Sequence, residues 1–264
     1  MDTYETINLD ATPGGIAVLT LDRPDRHNAF NALVIEELTD ALETLEEQET
    51  IRMVILRANG ANFSAGADLK WMKAAADYTR HENEQDAYRL AEMLRKLANL
   101  PQMTVALVQG AAMGGGAGLV AACDVAVAMK DAKFRFSEVR LGLTPATISP
   151  FVMAAIGPRW AKALFVSAES FDAAFAERIG LVQYVVEDQT GLTEMEEHLA
   201  QLAMQAAPGA IADAKKLVLD YAGVEINQAL SHETAKRIAA RRASDEGREG
   251  LSAFLEKRKP DWAE

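Results

Sequence analysis

A single cysteine, Cys123, supplies all the thiol chemistry of this chain. It rules out an internal disulfide and makes a cysteine-based zinc site unexpected. The four histidines, His27, His81, His198 and His232, stand far apart, and no H-x-x-x-H or Cys/His spacing suggests a metal. No uncharged apolar run reaches the roughly 18 residues that a membrane-spanning helix needs. Positive charge is in deficit, with 27 Lys and Arg against 39 Asp and Glu and a net charge of −12. Phosphate contacts need clustered basic residues, so general nucleic-acid binding is not expected. Neither a P-loop nor a G-x-G-x-x-G fingerprint with a downstream acidic partner occurs. The opening Met1-Asp2-Thr3-Tyr4-Glu5 is acidic and runs into strand-like sequence. It resembles neither a signal peptide nor a transit peptide, and a cytoplasmic protein is expected.

What is present is an ordinary globular composition, 49% hydrophobic and 25% charged over 264 residues, enough for one large domain with an appendage. Residues 4–9 and 16–22 alternate as strands, with Pro13-Gly14-Gly15 as the turn between them. From 31 to 47 the apolar residues keep helical spacing, as they do from 83 to 99. Short apolar runs at 53–57, 104–108 and 124–129 read as buried strands. Beyond Phe136 the pattern is helical to the end, apart from a short strand at 182–186. Strands alternating with helices predict an α/β core. The expected division is a core at 1–200 and a helical C-terminal region at 201–264, serving as lid or oligomerisation arm. No internal repeat or low-complexity linker divides the chain.

Two strand-to-helix junctions stand out, 63–72 (FSAGADLKWM) and 108–119 (VQGAAMGGGAGL). The first N–H groups of a helix have no intrahelical partner and carry partial positive charge, so such junctions can hold an oxyanion. Small residues let a ligand carbonyl approach the backbone closely. Two N–H groups converging on one thioester oxygen would stabilise an enolate. A glycine triplet by itself serves tight helix packing equally well.

The order of motifs resembles the crotonase superfamily, the enoyl-CoA hydratase/isomerase family, over nearly the whole chain. It is carried by Leu21-Asp22-Arg23-Pro24 with Asn28-Ala29, Phe63-Ser64-Ala65-Gly66-Ala67-Asp68-Leu69, and Gly110 with Gly114-Gly115-Gly116 and Cys123-Asp124. Ala132-Lys133-Phe134, Glu138, Leu141-Gly142-Leu143 and Pro145 continue it, followed by Gly180-Leu181-Val182 and the segment from Ser252 to Arg258. The resemblance implies a crotonase-like ββα superhelix core with a helical C-terminal region. It also implies a homotrimer or a dimer of trimers, and no cofactor beyond the coenzyme A of an acyl-CoA substrate.

Carried over residue by residue, the resemblance makes the backbone N–H groups of Ala67 and Gly115 the oxyanion donors and Glu138 the acid/base. Hydratases of the family usually place a second glutamate two residues beyond the triplet, where this chain has Gly118. Hydration by Glu138 alone or with an unidentified helper, and isomerisation of a double bond by one carboxylate, both stay open. An ordinary surface Glu138 paired with Arg140 is the bland alternative. Lys70 matches a CoA-contacting position. In relatives the loop holding Arg23 and Arg26 lines the CoA channel, and the C-terminal segment holding Lys257 reaches a neighbouring subunit's CoA. Ala65, Asp68, Leu69, Trp71, Gly114 and Gly118 complete the expected substrate and CoA set, although Trp71 serves equally well as helix packing.

Segments 65–72 and 137–150, with Pro145-Ala146-Thr147-Ile148-Ser149-Pro150, look like the bacterial 3-methylglutaconyl-CoA and isohexenylglutaconyl-CoA hydratases. That likeness implies a branched substrate with a second carboxylate. Some superfamily members bind RNA after losing their glutamates, a reading that the acidic charge and Glu138 both oppose.

Overall fold

The computed structural model describes residues 4–12 and 14–263. The chain pairs β1 (Ile7–Ala11) antiparallel with β2 (Ile16–Leu21). Pro13 of the expected turn lies outside the described residues, as do Met1, Asp2 and Thr3 of the acidic N-terminus. After α1 (Ala32–Glu46), β3 (Met53–Ala58) adds parallel to β2. Helices α2 (Leu69–Ala75) and α3 (Arg80–Asn99) lead to β4 (Met103–Val108), again parallel. The chain then makes β5 (Ala111–Met113), α4 (Gly115–Ala122), β6 (Val125–Met129) and β7 (Lys133–Arg135). Further on come α5 (Ser149–Ser167), β8 (Phe171–Asp172), α6 (Ala173–Ile179), β9 (Tyr184–Val186) and α7 (Gln189–Gln205). Helices α8 (Pro208–Tyr221), α9 (Gln228–Ala243) and α10 (Asp245–Glu256) follow.

The main sheet has the order β1-β2-β3-β4-β6-β9, and a second, smaller sheet runs β5-β7-β8. Two isolated parallel bridges, Phe30 to Ala67 and Ser64 to Ala112, prolong the small sheet. Successive turns of the chain therefore lay one strand in the large sheet, one short stretch in the small layer, and then a helix. That is the ββα coil expected from the motifs. Strand β5 lies inside the 108–119 junction, where the sequence pattern shows no strand. It is three residues of Ala-Ala-Met whose partner β7 lies 22 positions on, so no local alternation announces it.

Alternation along the central strands divides the core. Val54 and Leu56 of β3 face a large cluster with α1, α3 and α4, while Met53 and Ile55 face Leu192, Leu199 and Ala203 of α7. With both faces covered, the parallel strands read as continuous apolar runs. The expected boundary at 200/201 falls inside α7, whose Ala203 is buried in that second cluster. The packed core thus extends to the end of α7. Helices α8 and α9 bury no residue of their own, and Val218, Ile226 and Ile238 stand exposed in this region. Lys215 tethers α8 to the core by an ion pair to Asp124 at 2.8 Å and a bond to the Gln102 carbonyl at 3.1 Å. Among the described residues no helix is long and apolar enough to cross a membrane.

Candidate active site

The site is assembled by two loops that zip together. Segment 23–30 follows β2, and segment 62–68 follows β3. Ala65 N–H donates to the His27 carbonyl at 2.9 Å, Phe30 N–H to Gly66 at 2.7 Å, and Asp68 N–H to Phe30 at 2.7 Å. Asn28, left-handed at φ 53° and 2% exposed, is the central pin. Its side-chain oxygen accepts from Arg23 N–H, and its amide donates to the Asn59 and Asn62 carbonyls. Ser64 Oγ donates to the Asn28 carbonyl at 2.8 Å.

This pairing decides where Ala67 points. The bridge engages both backbone groups of Phe30 but only the residues flanking Ala67, so the Ala67 N–H is turned away from the ladder. Ala67 is exposed, and among the described residues no group accepts from its N–H. Gly115 opens α4, so its N–H also lacks an intrahelical partner. The two lie close, because Gly66 backs on to the Met113–Gly114 peptide. A Cβ on Gly66 would meet the Met113 oxygen at 2.9 Å, and its φ of +87° already favours glycine. Phe30 joins both donors, since its backbone orients Ala67 and its ring lies 3.0 Å from where a Gly115 Cβ would stand.

Glu138 follows β7 at the start of a 3-10 turn, Glu138–Leu141. Gly114 N–H donates to the Arg135 carbonyl at 2.9 Å, which fixes the carboxylate segment against the glycine corner. A Cβ at Gly114 would stand 3.1 Å from Glu138 Oε1, and Gly114 itself sits at φ +50°. Glu138 Oε2 is buried with no hydrogen-bond partner, and Arg140 makes no ion pair with it. Burial raises the Glu138 carboxyl above its ordinary range, opposed only in part by its own backbone N–H. A largely uncompensated carboxylate beside two unused N–H donors is suited to moving a proton next to a carbonyl whose oxygen those donors hold.

Gly118 lies one turn beyond Gly114 on the same face of α4, but it does not line an opening. A Cβ there would fall 2.3 Å from Ile148 Cγ2, with Leu94 Cδ1 at 3.9 Å. Ile148 is 1% exposed, so hydrocarbon fills the seat of a second carboxylate. Gly118 is thus buried against Ile148 and Leu94. Ile148 is the residue sequence reasoning missed. It lies within segment 145–150, and nothing local in the sequence links it to position 118.

The remaining expected residues divide. Ala65, Leu69 and Lys70 are exposed on the rim beside Ala67, and Lys70 forms no ion pair among the described residues. Trp71 packs against the main core cluster, with its Nε1–H buried and lacking an acceptor. Arg26 pairs loosely with its neighbour Asp25 at 3.4 Å. Arg23, expected on the loop lining the CoA channel, is turned inward to Asp68 at 3.0 Å and to the Ala29 carbonyl at 2.6 Å. Asp68, expected as a ligand contact, caps α2 by accepting from Lys70 N–H at 2.8 Å. Burial pushes its carboxyl up, but the Lys70 N–H and Arg23 outweigh that and hold it below its usual value. Lys257 ends α10 at φ 55°, on the arm tethered through α7 and α8, and no bond joins it to this cluster within one chain. Among the described residues no group of three or more His, Cys, Asp or Glu could hold a metal ion.

Comparison with known proteins places the whole chain in one family and fold. The family model described as enoyl-CoA hydratase/isomerase matches residues 11–264. A solved enoyl-CoA hydratase from Shewanella pealeana shares 40% identity and superposes with a TM-score of 0.94, covering 98% of this chain and 96% of that one. The Pseudomonas aeruginosa protein AtuE shares 35% identity at a TM-score of 0.94, over 98% and 100% of the two chains. An enoyl-CoA isomerase/hydratase of Mycosarcoma maydis, fer4, is 35% identical over 93% of this chain and 92% of its own.

Proposed function

The chain belongs to the enoyl-CoA hydratase/isomerase family, and from that premise we propose that it adds water across the 2,3 double bond of an enoyl-CoA thioester, with Glu138 as its sole acid/base. The observation that carries this reading is the buried, unpartnered Oε2 of Glu138 beside the Gly114–Gly115 corner. In this mechanism the thioester oxygen sits between the Ala67 and Gly115 N–H groups. Ionised Glu138 takes a proton from water as its oxygen bonds to C3, and the enolate charge collects on the held oxygen. The same carboxyl then returns its proton to C2, so both new bonds form on one face.

A second reading is favoured by Ile148, which leaves no seat for another carboxylate. Glu138 would remove a proton from C2 of a 3-enoyl thioester and return it at C4, shifting the bond without water. We further propose Lys70 as a CoA contact, in keeping with its unpaired, rim position, and a branched glutaconyl-type acyl group, supported by the likeness of segment 145–150. The unburied apolar face of α8–α10 supports assembly as a trimer or dimer of trimers. Arg26 and Lys257 then belong to the outer CoA channel, with Lys257 contributed across a subunit boundary.

The test offers crotonyl-CoA, 3-methylglutaconyl-CoA and a 3-enoyl-CoA to the purified protein in heavy-oxygen water. The expected result is loss of conjugated-thioester absorbance with one solvent oxygen in the product, fastest on the branched diacid. Bond migration in the 3-enoyl thioester with no oxygen incorporated anywhere would replace hydration by isomerisation.

A further inference from the structure

Arg23 bonds to both of the loops that form the site. Its guanidinium is a fork with one prong on each of the two zipped loops. Nη1 donates to the Ala29 carbonyl at 2.6 Å, and Nη2 meets Asp68 Oδ2 at 3.0 Å. Ala29 immediately precedes Phe30, and Asp68 immediately follows Ala67. The side chains of Arg23 and Asp68 are 18% and 11% exposed, so solvent screens the pair little. Arg23 N–H also donates to Asn28 Oδ1 at 2.8 Å, which ties the root of the fork to the loop's central pin. Asp68 in turn anchors the helix that follows by accepting from Lys70 N–H.

The bridge between Phe30 and Ala67 has only two backbone hydrogen bonds, those from Phe30 N–H and Asp68 N–H. It lies outside any strand, and on its C-terminal side no further backbone bond among the described residues joins the two loops beyond Asp68, the Ala65 N–H to His27 carbonyl bond lying on the other side. The fork closes a ring around that bridge, from Ala29 through Arg23 to Asp68, and so limits how far the Ala67 peptide can swing. A planar bidentate donor suits the task where a lysine, a single point charge, would not.

We infer that Arg23 is a positioning residue for the reaction, holding the Ala67 N–H on the thioester oxygen through Asp68 and the Ala29 carbonyl. The inference rests on the enoyl-thioester reading above. It gives the loop basic residue a task distinct from phosphate binding. A phosphate partner acts on the nucleotide end of CoA, whereas a positioning residue acts on the carbonyl whatever is attached to the sulfur.

The experiment uses Arg23→Ala, Arg23→Lys, Asp68→Asn and the Arg23→Ala/Asp68→Asn double variant of the full chain. Bound 2,4-hexadienoyl-CoA is the spectroscopic probe, because hydrogen bonds to a conjugated thioester carbonyl move its absorbance to longer wavelength. Arg23→Ala is expected to lose most of that red shift and to lower kcat by about 100-fold, the scale of a misplaced reacting group. The loss should be equal for a CoA thioester and for the matching pantetheine thioester, with free CoA binding little changed. Arg23→Lys should recover only part of it, and the double variant should be no worse than the worse single, as for one shared interaction. If Arg23→Ala does not fold, Asp68→Asn carries the same red-shift comparison. A KM increase confined to the CoA thioester, with the red shift intact, would overturn the inference and make Arg23 a phosphate partner. No red shift in the unmodified protein would overturn the thioester reading and the inference together, whereas a shift kept in both Arg23→Ala and Asp68→Asn overturns the inference alone.

Discussion

Gly118→Ala offers a direct probe of the Ile148 contact one turn along α4 from Gly114. On an exposed helix this substitution stabilises by about 0.5–1 kcal/mol, because alanine loses less backbone freedom on folding. Here the new methyl would stand 2.3 Å from Ile148 Cγ2 and 2.9 Å from its Cβ, and Ile148 is buried with no solvent side to move into. Overpacking of that kind costs about 1–3 kcal/mol, so the net expectation is a loss of about 1–2 kcal/mol. Ile148→Ala alone should cost about 2–5 kcal/mol through the cavity it opens. In the double variant the methyl added at position 118 refills part of that cavity, and the combined loss should fall short of the sum of the two by about 1 kcal/mol or more. Urea unfolding of the four proteins, with unchanged slopes, reads these differences from the midpoints. A Gly118→Ala protein more stable than the parent, or strictly additive losses, would refute the claim that Ile148 packs against Gly118.

Other consequences are as definite. Burial raises the Glu138 carboxyl, so kcat/KM should fall on the acid side with a midpoint above the ordinary carboxylate range, visible in a pH–rate profile. For a carboxyl raised on folding, the stabilising contribution is present below its unfolded value of 4.5 and is lost as pH rises through the folded one. Glu138→Gln should therefore be more stable than the parent at neutral pH, with the gap closing in acid, as measured by urea midpoints across that range. Cys123 lines the cavity under α8, yet burial, with Asp124 adding to it, pushes its thiol up to about 12. An aromatic disulfide reagent should label it slowly at neutral pH and rapidly after unfolding. Lys215→Met removes the ion pair that fastens α8 to Asp124, and limited proteolysis should then cut within α8–α10 sooner while the core fragment persists.

The core was legible because its signals are local. Apolar runs such as 53–57 announce strands buried on both faces, and the spacing along α1 and α3 announces helices. The two small-residue junctions were legible for the same reason, since strand-to-helix corners are written in consecutive residues. What escaped was set by contacts between distant positions. Arg23 reads as a CoA-channel cation because Asp68, its partner, lies 45 residues away. Gly118 read as part of the binding set because Ile148 comes from the start of α5, thirty positions later. Phe30, whose backbone and ring sit behind the two N–H donors, carries no sequence signal, because an isolated phenylalanine looks like any core residue.

The central claim is that Glu138 moves the proton while the Ala67 and Gly115 N–H groups hold the oxygen. The measurement that tests it most directly is Glu138→Gln assayed on the enoyl-CoA turned over by the parent protein, alongside the absorbance of bound 2,4-hexadienoyl-CoA. The account predicts turnover lowered by about 10²–10⁴-fold, the usual contribution of a general acid/base, with binding and the red shift retained. Turnover within a few-fold of the parent would contradict it and place the acid/base elsewhere.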